Sequence, residues 1–192
     1  GEGYSGGVRT LLSEDIESMG ILGTVADLLT VDERYEKAIQ TALGPLAEAL
    51  VTRDRKSALS AIKALKDQQA GSATFLPLEP LLKAKPKSSV ILKGKHVIGA
   101  AIDFVTPKSG FSDLAQLLLR DVTLVEDEFV ADWNKISGRA VSVDGTLYDT
   151  FGLLKGGSGG EGEDTIIGRQ DRIQRLREQF STLVDEIQKH SN

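Results

Sequence analysis

An internal repeat constrains the fold of this chain more than any other feature of its sequence. The segment ILGTVADLLTV, residues 21–31, aligns without gaps with VIGAAIDFVTP, residues 97–107. The apolar helical face that follows the first segment recurs at the same spacing after the second, and such self-similarity predicts two related units built on one plan. Three positions keep their residue type in both copies: Gly23 and Gly99, Asp27 and Asp103, and Thr30 and Thr106.

The order of patterns within the first copy predicts a mixed fold. GILGTV, AEALVT and SATFLPL are strand-like, and they alternate with two amphipathic stretches, DERYEKAIQTALG and RKSALSAIKALKDQQAG. Asp32 is placed to cap the first helix, and Gly44 and Gly71 follow the helix ends. We therefore expect an α+β fold of two related mixed α/β subdomains, residues 8–80 and 96–160, joined by a basic linker over 81–95.

Composition excludes several classes of protein. The net charge of −5 argues against a surface that binds nucleic acid all over, so any DNA contact must be local. Without cysteine the chain can form neither a disulfide nor a thiolate metal site, and it contains no apolar run long enough to cross a bilayer. We expect a cytoplasmic protein without a metal or another cofactor.

The last segment, residues 163–192, has the pattern of a coiled coil. Its apolar residues recur at intervals of three, four, three and four, which is the spacing of a coiled-coil seam. Two heptads need a partner in water, either the core of a globular domain or a second helix such as one preceding Gly1. The predicted seam residues are Ile173, Leu176, Phe180, Leu183 and Ile187.

The glycine-rich stretch GTLYDTFGLLKGGSGG, residues 145–160, allows two interpretations. Gly157, Gly159 and Gly162 match G-x-G-x-x-G, which leaves open a small nucleotide- or ligand-binding α+β domain. That motif requires a following strand in a βαβ unit, whereas here the chain continues into the coiled-coil pattern. Catalysis has little support, because neither His96 nor His190 has an evident nucleophile or orienting carboxylate nearby in the sequence.

The other interpretation rests on spacing. Gly145, Gly152, Gly156 and Gly157 follow the pattern G-x6-G-x3-G-G, which resembles the glycine signature of the hinge domain of structural maintenance of chromosomes (SMC) proteins. The resemblance to bacterial and archaeal SMC hinges covers nearly the whole chain. It includes GYSGGVRTLL, ILGTVADLLTV, YEKAIQTALG, GSATFLPL, GAAIDFV and IIGRQDRIQRLRE.

The resemblance implies a dimerisation role for these four glycines. In the family, strands of one hinge's first subdomain pair with strands of the other hinge's second, and glycine leaves the backbone accessible to such pairing. Gly152 lies in the apolar stretch TFGLLK, where we expect a close backbone neighbour rather than a turn. For Gly145, which follows Asp144, a hairpin turn and an interface position both remain open.

The resemblance also implies the wider role. The whole protein would be a chromosome-organising ATPase with two coiled-coil arms joined in a ring-like dimer, nucleoid-associated and in bacteria a homodimer, while this segment itself hydrolyses nothing. Weak DNA contacts would come from basic residues near the coil junction, although lysines in a linker and arginines on a helix also serve solubility and local ion pairing. The candidates are Lys93, Lys95, Arg169, Arg172, Arg175 and Arg177.

Overall fold

The structure is a computed structural model that describes residues 4–81, 94–158 and 166–191. Short 3₁₀ helices at Glu33–Tyr35, Gly44–Glu48, Ala101–Phe104 and Trp133–Lys135 connect the main elements. In chain order these are α1 (Gly6–Leu12), β1 (Ile21–Thr24), α2 (Val25–Leu28), β2 (Leu29–Val31), α3 (Glu36–Leu43), β3 (Leu50–Thr52), α4 (Arg55–Gln68), β4 (Phe75–Pro77), α5 (Leu78–Leu81), β5 (Val97–Ala100), β6 (Val105–Pro107), α6 (Ser112–Leu119), β7 (Val122–Val125), β8 (Arg139–Ser142), β9 (Leu147–Tyr148), β10 (Leu154–Lys155) and α7 (Arg169–His190).

The repeat read from the sequence is present in the backbone. The elements β5, the 3₁₀ helix Ala101–Phe104, β6 and α6 each begin 76 residues after their counterparts β1, α2, β2 and α3. Each half places an antiparallel strand pair beside a parallel one, β1-β3-β4 in the first and β5-β7-β8 in the second. The predicted fold class, two related α/β units followed by a helix, is confirmed.

A matching irregularity occurs at the same place in both sheets. The register shifts between Ile21 and Gly23 in β1 and between Val97 and Gly99 in β5. Gly23 and Gly99 have φ values of 139° and 151°, a backbone conformation that side chains rarely adopt. The glycine kept in both copies is therefore required by the bulge.

The two halves meet through β2 and β6, which form an antiparallel pair with Thr30 directly opposite Thr106. Because the repeat also aligns Thr30 with Thr106, the approximate twofold axis passes between these two residues. Around this pair, one continuous core joins both halves, built largely from α3, α6 and the inner faces of the two sheets.

A half-buried arginine connects the ends of two helices to the second sheet. Arg139, at the start of β8, donates two hydrogen bonds to the Asp121 carboxylate and one each to the carbonyl oxygens of Ala42 and Leu118. These carbonyls belong to the last turns of α3 and α6, where the backbone lacks intrahelical partners. The pKa of Arg139 is raised, chiefly by its hydrogen bonds to Asp121.

The two sheets differ on the face turned away from this core, which we call the outer face. In the first sheet α1 and α4 cover it, burying Ile21 and Leu50. In the second sheet residues 126–138 join β7 to β8, and they contain a 3₁₀ helix in place of a helix like α4. We call residues 126–138 the crossover loop. Its Trp133 stacks on Tyr148 of β9 at 5.4 Å between ring centroids.

The last helix begins later than the coiled-coil pattern indicated. The helix α7 starts at Arg169, and the preceding Ile166 and Ile167 are buried in the core rather than continuing the coil. Residues 159–165, with Gly159 and Gly162, and most of the predicted linker, residues 82–93 with Lys93, lie outside the described residues. The domain boundaries given above remain predictions.

Candidate functional site

The glycine-rich segment forms one of the two edges of the second sheet, the other being β5, among the residues that the structure describes. The strands β9 and β10 pair antiparallel, and a tight turn joins them, in which the Asp149 amide donates to the Leu153 carbonyl and the Gly152 amide to the Asp149 carbonyl. Gly152 has φ 82°, the left-handed conformation that such a three-residue hairpin loop requires. The expectation that Gly152 avoids a turn is therefore wrong.

Two of the other glycines also have reasons within the chain. Gly145 has φ 89° and lies in the turn before β9, which is the hairpin-turn alternative that the Asp-Gly dipeptide left open. A Cβ at Gly145 would lie 3.0 Å from the Thr41 hydroxyl oxygen of α3. A Cβ on Gly156 would lie 2.7 Å from the Thr146 hydroxyl oxygen. By contrast, a Cβ on Gly152 or Gly157 meets open space, so within the chain these two are constrained by φ alone.

The strand β10 exposes both backbone groups and apolar side chains. Since hydrogen-bonded and non-bonded pairs alternate along an antiparallel ladder, the bond at Leu153 directs the N–H and C=O of Leu154 away from β9. No strand among the described residues pairs with this edge. The side chains of Phe151, Leu153 and Leu154 are 96%, 60% and 59% exposed. Such an edge is a template for another strand.

The strand β4 forms a corresponding edge on the first sheet. It pairs in parallel with β3, where the Leu50 amide donates to the Thr74 carbonyl at 2.8 Å. In this ladder the N–H and C=O of Phe75 point away from β3. Pro77 lacks an N–H, as befits an edge strand. In the part of the chain that the structure describes, β4 has no second strand neighbour.

The predicted coiled-coil seam runs along an uncovered helix. Leu176, Phe180, Leu183 and Ile187 are 64%, 69%, 54% and 61% exposed, and Ile173 is half-buried. Within the described residues the core does not cover the side chains of these four residues, which argues against the globular-core alternative for them. A partner helix remains the alternative that would bury them.

The base of α7 is anchored to α3, in the other half of the molecule. The amides of Ile166 and Ile167 both donate to Oε1 of Gln40, at 2.6 and 3.0 Å. Arg172 donates from Nη1 to the Glu36 carboxylate at 3.1 Å, and this carboxylate packs on Gly168. Burial raises the pKa of Glu36, while Arg172 opposes that shift.

The first described residue, Tyr4, lies beside this anchor. The Arg169 guanidinium lies 5.8 Å from the ring centroid of Tyr4, so Tyr4 and the start of α7 are neighbours. Beneath them Asp27 has a raised pKa because of its burial, as does Tyr4. A second helix that continued from Tyr4 would begin next to α7.

The candidate DNA-binding residues are not equivalent. Arg169 lies over Tyr4, Arg172 pairs with Glu36, and Arg175 forms an ion pair with Glu33 at 3.6 Å. Arg177 is exposed on α7. Lys95 is exposed at the mouth of a cavity beside the crossover loop and therefore lies apart from the helix. Among the described candidates the four arginines lie on α7 and Lys95 lies beside the crossover loop, while Lys93 is outside the described residues.

The described residues contain neither a membrane-spanning helix nor a metal-binding cluster. Within residues 4–81, 94–158 and 166–191 no helix is both long and apolar enough to cross a bilayer. Over the same ranges, no cluster of three or more His, Asp or Glu side chains is arranged to hold a metal ion. His96 lies 3.3 Å from a Glu126 carboxylate oxygen.

Sequence reasoning missed two residues of the edge strands and one residue of the crossover loop. Leu154 and Phe75 carry the outward backbone groups, and Phe129 in the crossover loop is 90% exposed. The only sequence signal for Leu154 was its place between the glycines. A phenylalanine in the acidic run EDEF could have suggested an exposed ring, since acidic neighbours seldom lie in a core.

Comparison with known proteins gives consistent matches. The family model for the SMC proteins Flexible Hinge Domain matches residues 18–133. Over 187 residues, 93% of this chain, the sequence is 34% identical to the chromosome partition protein Smc of Desulfitobacterium hafniense. The matched part is 16% of that protein, and it is also 16% of the Halothermothrix orenii relative. The chain thus spans about a sixth of the length of these relatives.

Solved structures agree with the sequence matches. The crystal structure of an asymmetric dimer of the Geobacillus stearothermophilus SMC hinge domain is 26% identical with a TM-score of 0.78, covering 97% of this chain and 78% of that one. The Pyrococcus furiosus SMC protein hinge domain is 34% identical with a TM-score of 0.62, covering 78% of both chains. The ligand-binding alternative finds no support in these comparisons.

Proposed function

Because this chain belongs to the SMC hinge family, whose model matches residues 18–133, we propose that it is the segment through which two copies of a longer protein dimerise. The resemblance read from the glycine spacing is confirmed at the level of the family. The observation that carries the proposal is the pair of free, complementary strand edges, β10 in the second sheet and β4 in the first.

The two edges fit each other as an antiparallel pair. Leu154 and Phe75 each present one outward N–H and one outward C=O, which is what a hydrogen-bonded antiparallel pair exchanges. With Leu154 opposite Phe75, the pairing places Pro77 opposite Gly152, where the missing Cβ leaves room. The three-stranded sheet of one chain then continues into the five-stranded sheet of the other.

The side chains support the same register. Phe75 packs under α4 on the outer face of its sheet. Leu154 lies directly opposite Tyr148, which carries Trp133 on the outer face of the second sheet. Directly opposed residues of an antiparallel pair share a face, so pairing Leu154 with Phe75 keeps both outer faces on one side.

A closed dimer follows from having one edge of each kind in every chain. The β10 edge of each chain meets the β4 edge of the other, giving two equivalent junctions related by a twofold axis and leaving neither edge open. Gly145, Gly152, Gly156 and Gly157 would all lie at or behind these junctions.

The exposed seam of α7 then has a natural partner. We infer that Leu176, Phe180, Leu183 and Ile187 pack against an antiparallel helix of the same protein that leads into Tyr4. Each hinge would carry one coiled-coil arm. The whole protein would be an ATPase of chromosome condensation and segregation in the cytoplasm, on the nucleoid, whereas this segment catalyses nothing.

Local contact with DNA is a weaker part of the proposal. Arg177 and the half-exposed Arg175 are the candidates on α7, and the overall negative charge keeps any attraction small. We expect weak binding without sequence preference that declines with salt. A titration of labelled duplex and single-stranded DNA at two salt concentrations tests it, and a flat curve at low salt would refute it.

The dimer itself is tested by the molar mass of this segment in solution. Light scattering during gel filtration should give twice the 20.6 kDa chain mass, and the proportion of dimer should fall only on strong dilution. A mass of 20.6 kDa at micromolar concentration would contradict the proposal. A hetero-dimer would require a second, different chain before the larger mass appeared.

A further inference from the structure

The crossover loop holds an exposed aromatic residue in a fixed position. Phe129 is 90% exposed and the adjacent Val130 is 50% exposed. The Phe129 amide donates to Asp127 Oδ1 at 2.8 Å. Glu128 is held on both sides, because its carboxylate accepts from the Thr146 hydroxyl at 2.9 Å and its carbonyl from the Trp133 ring N–H at 3.2 Å. The backbone that carries the exposed ring is thus held by several polar contacts.

On the other sheet, the helix α4 has a flank that no described residue covers completely. Ala58, Ala61 and Leu65 are buried, and Ser57 packs against Gly20 at the start of β1, so that flank of the helix faces β1. Because α4 packs on β3 and β4 while Ser57 is turned to Gly20, we place the opposite flank on the β4 side of the sheet. It presents Arg55, Leu59, Ile62 and Lys66 at helical spacing, and Leu59 is 54% exposed.

We propose that Phe129 of the crossover loop packs on the Leu59–Ile62 flank of the partner's α4, forming a second layer of the dimer interface above the strand junction. The inference rests on the proposed dimer, in which the outer faces of the two joined sheets lie on the same side of the continuous sheet. In that arrangement the crossover loop lies on β9, and the partner's α4 lies on the partner's β4. Only β10 stands between these two strands. Two strand spacings are about 10 Å, the usual distance between packed elements.

The charges of the two surfaces also favour a second copy of this chain as the partner that binds the crossover loop. The crossover loop is acidic around the ring, with Glu126, Asp127 and Glu128. The flank of α4 is basic at both ends of its apolar centre, with Arg55 and Lys66. An apolar anchor inside a rim of complementary charge is a common arrangement in stable interfaces.

Cross-linking tests the contact cleanly because the native chain has no cysteine. Leu59→Cys and Phe129→Cys are introduced together and treated with a flexible bis-maleimide. We expect a covalent dimer on a denaturing gel. The matched control pairs Phe129→Cys with Ser60→Cys, an exposed position turned away from the flank, and should give little covalent dimer.

The outcomes separate this inference from the proposed function. If light scattering shows a dimer but the 59/129 pair cross-links no better than the 60/129 pair, the second layer is wrong and the strand junction stands. If the native segment is a monomer, both ideas fail. As an independent measurement, Phe129→Ala should raise the dimer dissociation constant about tenfold while leaving a folded chain, and an unchanged constant would overturn the inference.

Discussion

At the scale of single residues, the structure shows which side chains were fixed by local rules. Gly23 and Gly99 were recognised from the repeat, and both have the positive φ that the bulges require. Gly152 was misread, because a three-residue hairpin loop needs one glycine at its last position and tolerates apolar residues such as Phe151 beside it. That requirement is not visible in an apolar run.

One buried residue differs between the two copies in an informative way. Leu50 pairs with Thr24 and Thr123 pairs with Ala100, and the repeat aligns Thr24 with Ala100, so Leu50 and Thr123 occupy corresponding positions. The Thr123 hydroxyl is buried and has no hydrogen-bond partner among the described residues. The first copy thus carries an apolar side chain where the second carries an unpaired polar one.

We predict that Thr123→Val stabilises the fold. Removing an unpaired hydroxyl from a buried site should raise the free energy of unfolding by about 1 kcal/mol, since no hydrogen bond is lost. Urea denaturation at fixed protein concentration measures it. The matched control is Thr52→Val, which deletes the hydrogen bond from its hydroxyl to the Asp54 carbonyl and should destabilise. A loss of stability in Thr123→Val would contradict the prediction.

At the scale of elements, the sequence predicted what depends on periodicity and missed what depends on distant contacts. The seam of α7 and the alternation of strands and helices follow from spacing alone. The anchor of α7 does not, because Gln40 meets Ile166 across 126 residues of chain and Glu36 meets Arg172 across 136. This anchor also explains why the helix starts at Arg169 instead of at the beginning of the coiled-coil pattern.

The anchor has a predictable pH dependence. The pKa of Glu36 is raised above its ordinary value of 4.5, so the folded chain retains this proton to higher pH than the unfolded chain does. The contribution of Glu36 to stability is therefore most favourable at low pH and declines as pH rises through the raised pKa. Glu36→Gln removes this decline.

We predict that Glu36→Gln gains stability relative to the native chain as pH rises from about 4 to about 7. Urea unfolding of both proteins at the two pH values measures the difference. Glu33→Gln, at a carboxylate 74% exposed on the preceding turn, is the matched control and should show a smaller change. If the stability of Glu36→Gln relative to the native chain stayed constant or fell as pH rose, burial would not be the dominant influence on the pKa of Glu36.

At the scale of the whole molecule, the repeat determines how two copies can meet. Each chain has one sheet that ends at β4 and one that is extended by the hairpin β9–β10, so the two halves are related in fold but complementary at their edges. The glycine spacing indicated the family and the segment, whereas the identity of the partner edge required the ladder registers. The direction of a backbone N–H or C=O group depends on the register of the strand ladder, which the sequence alone does not contain.

The measurement that tests the edge-to-edge junction most directly is the molar mass of Leu154→Pro beside Leu154→Ala. Proline removes the one outward N–H of β10 but no bond to β9, whereas alanine retains that N–H. We predict that both variants keep the circular dichroism of the native fold. By light scattering Leu154→Ala should remain a dimer and Leu154→Pro should give the 20.6 kDa mass of a single chain. A dimeric Leu154→Pro variant would contradict the account.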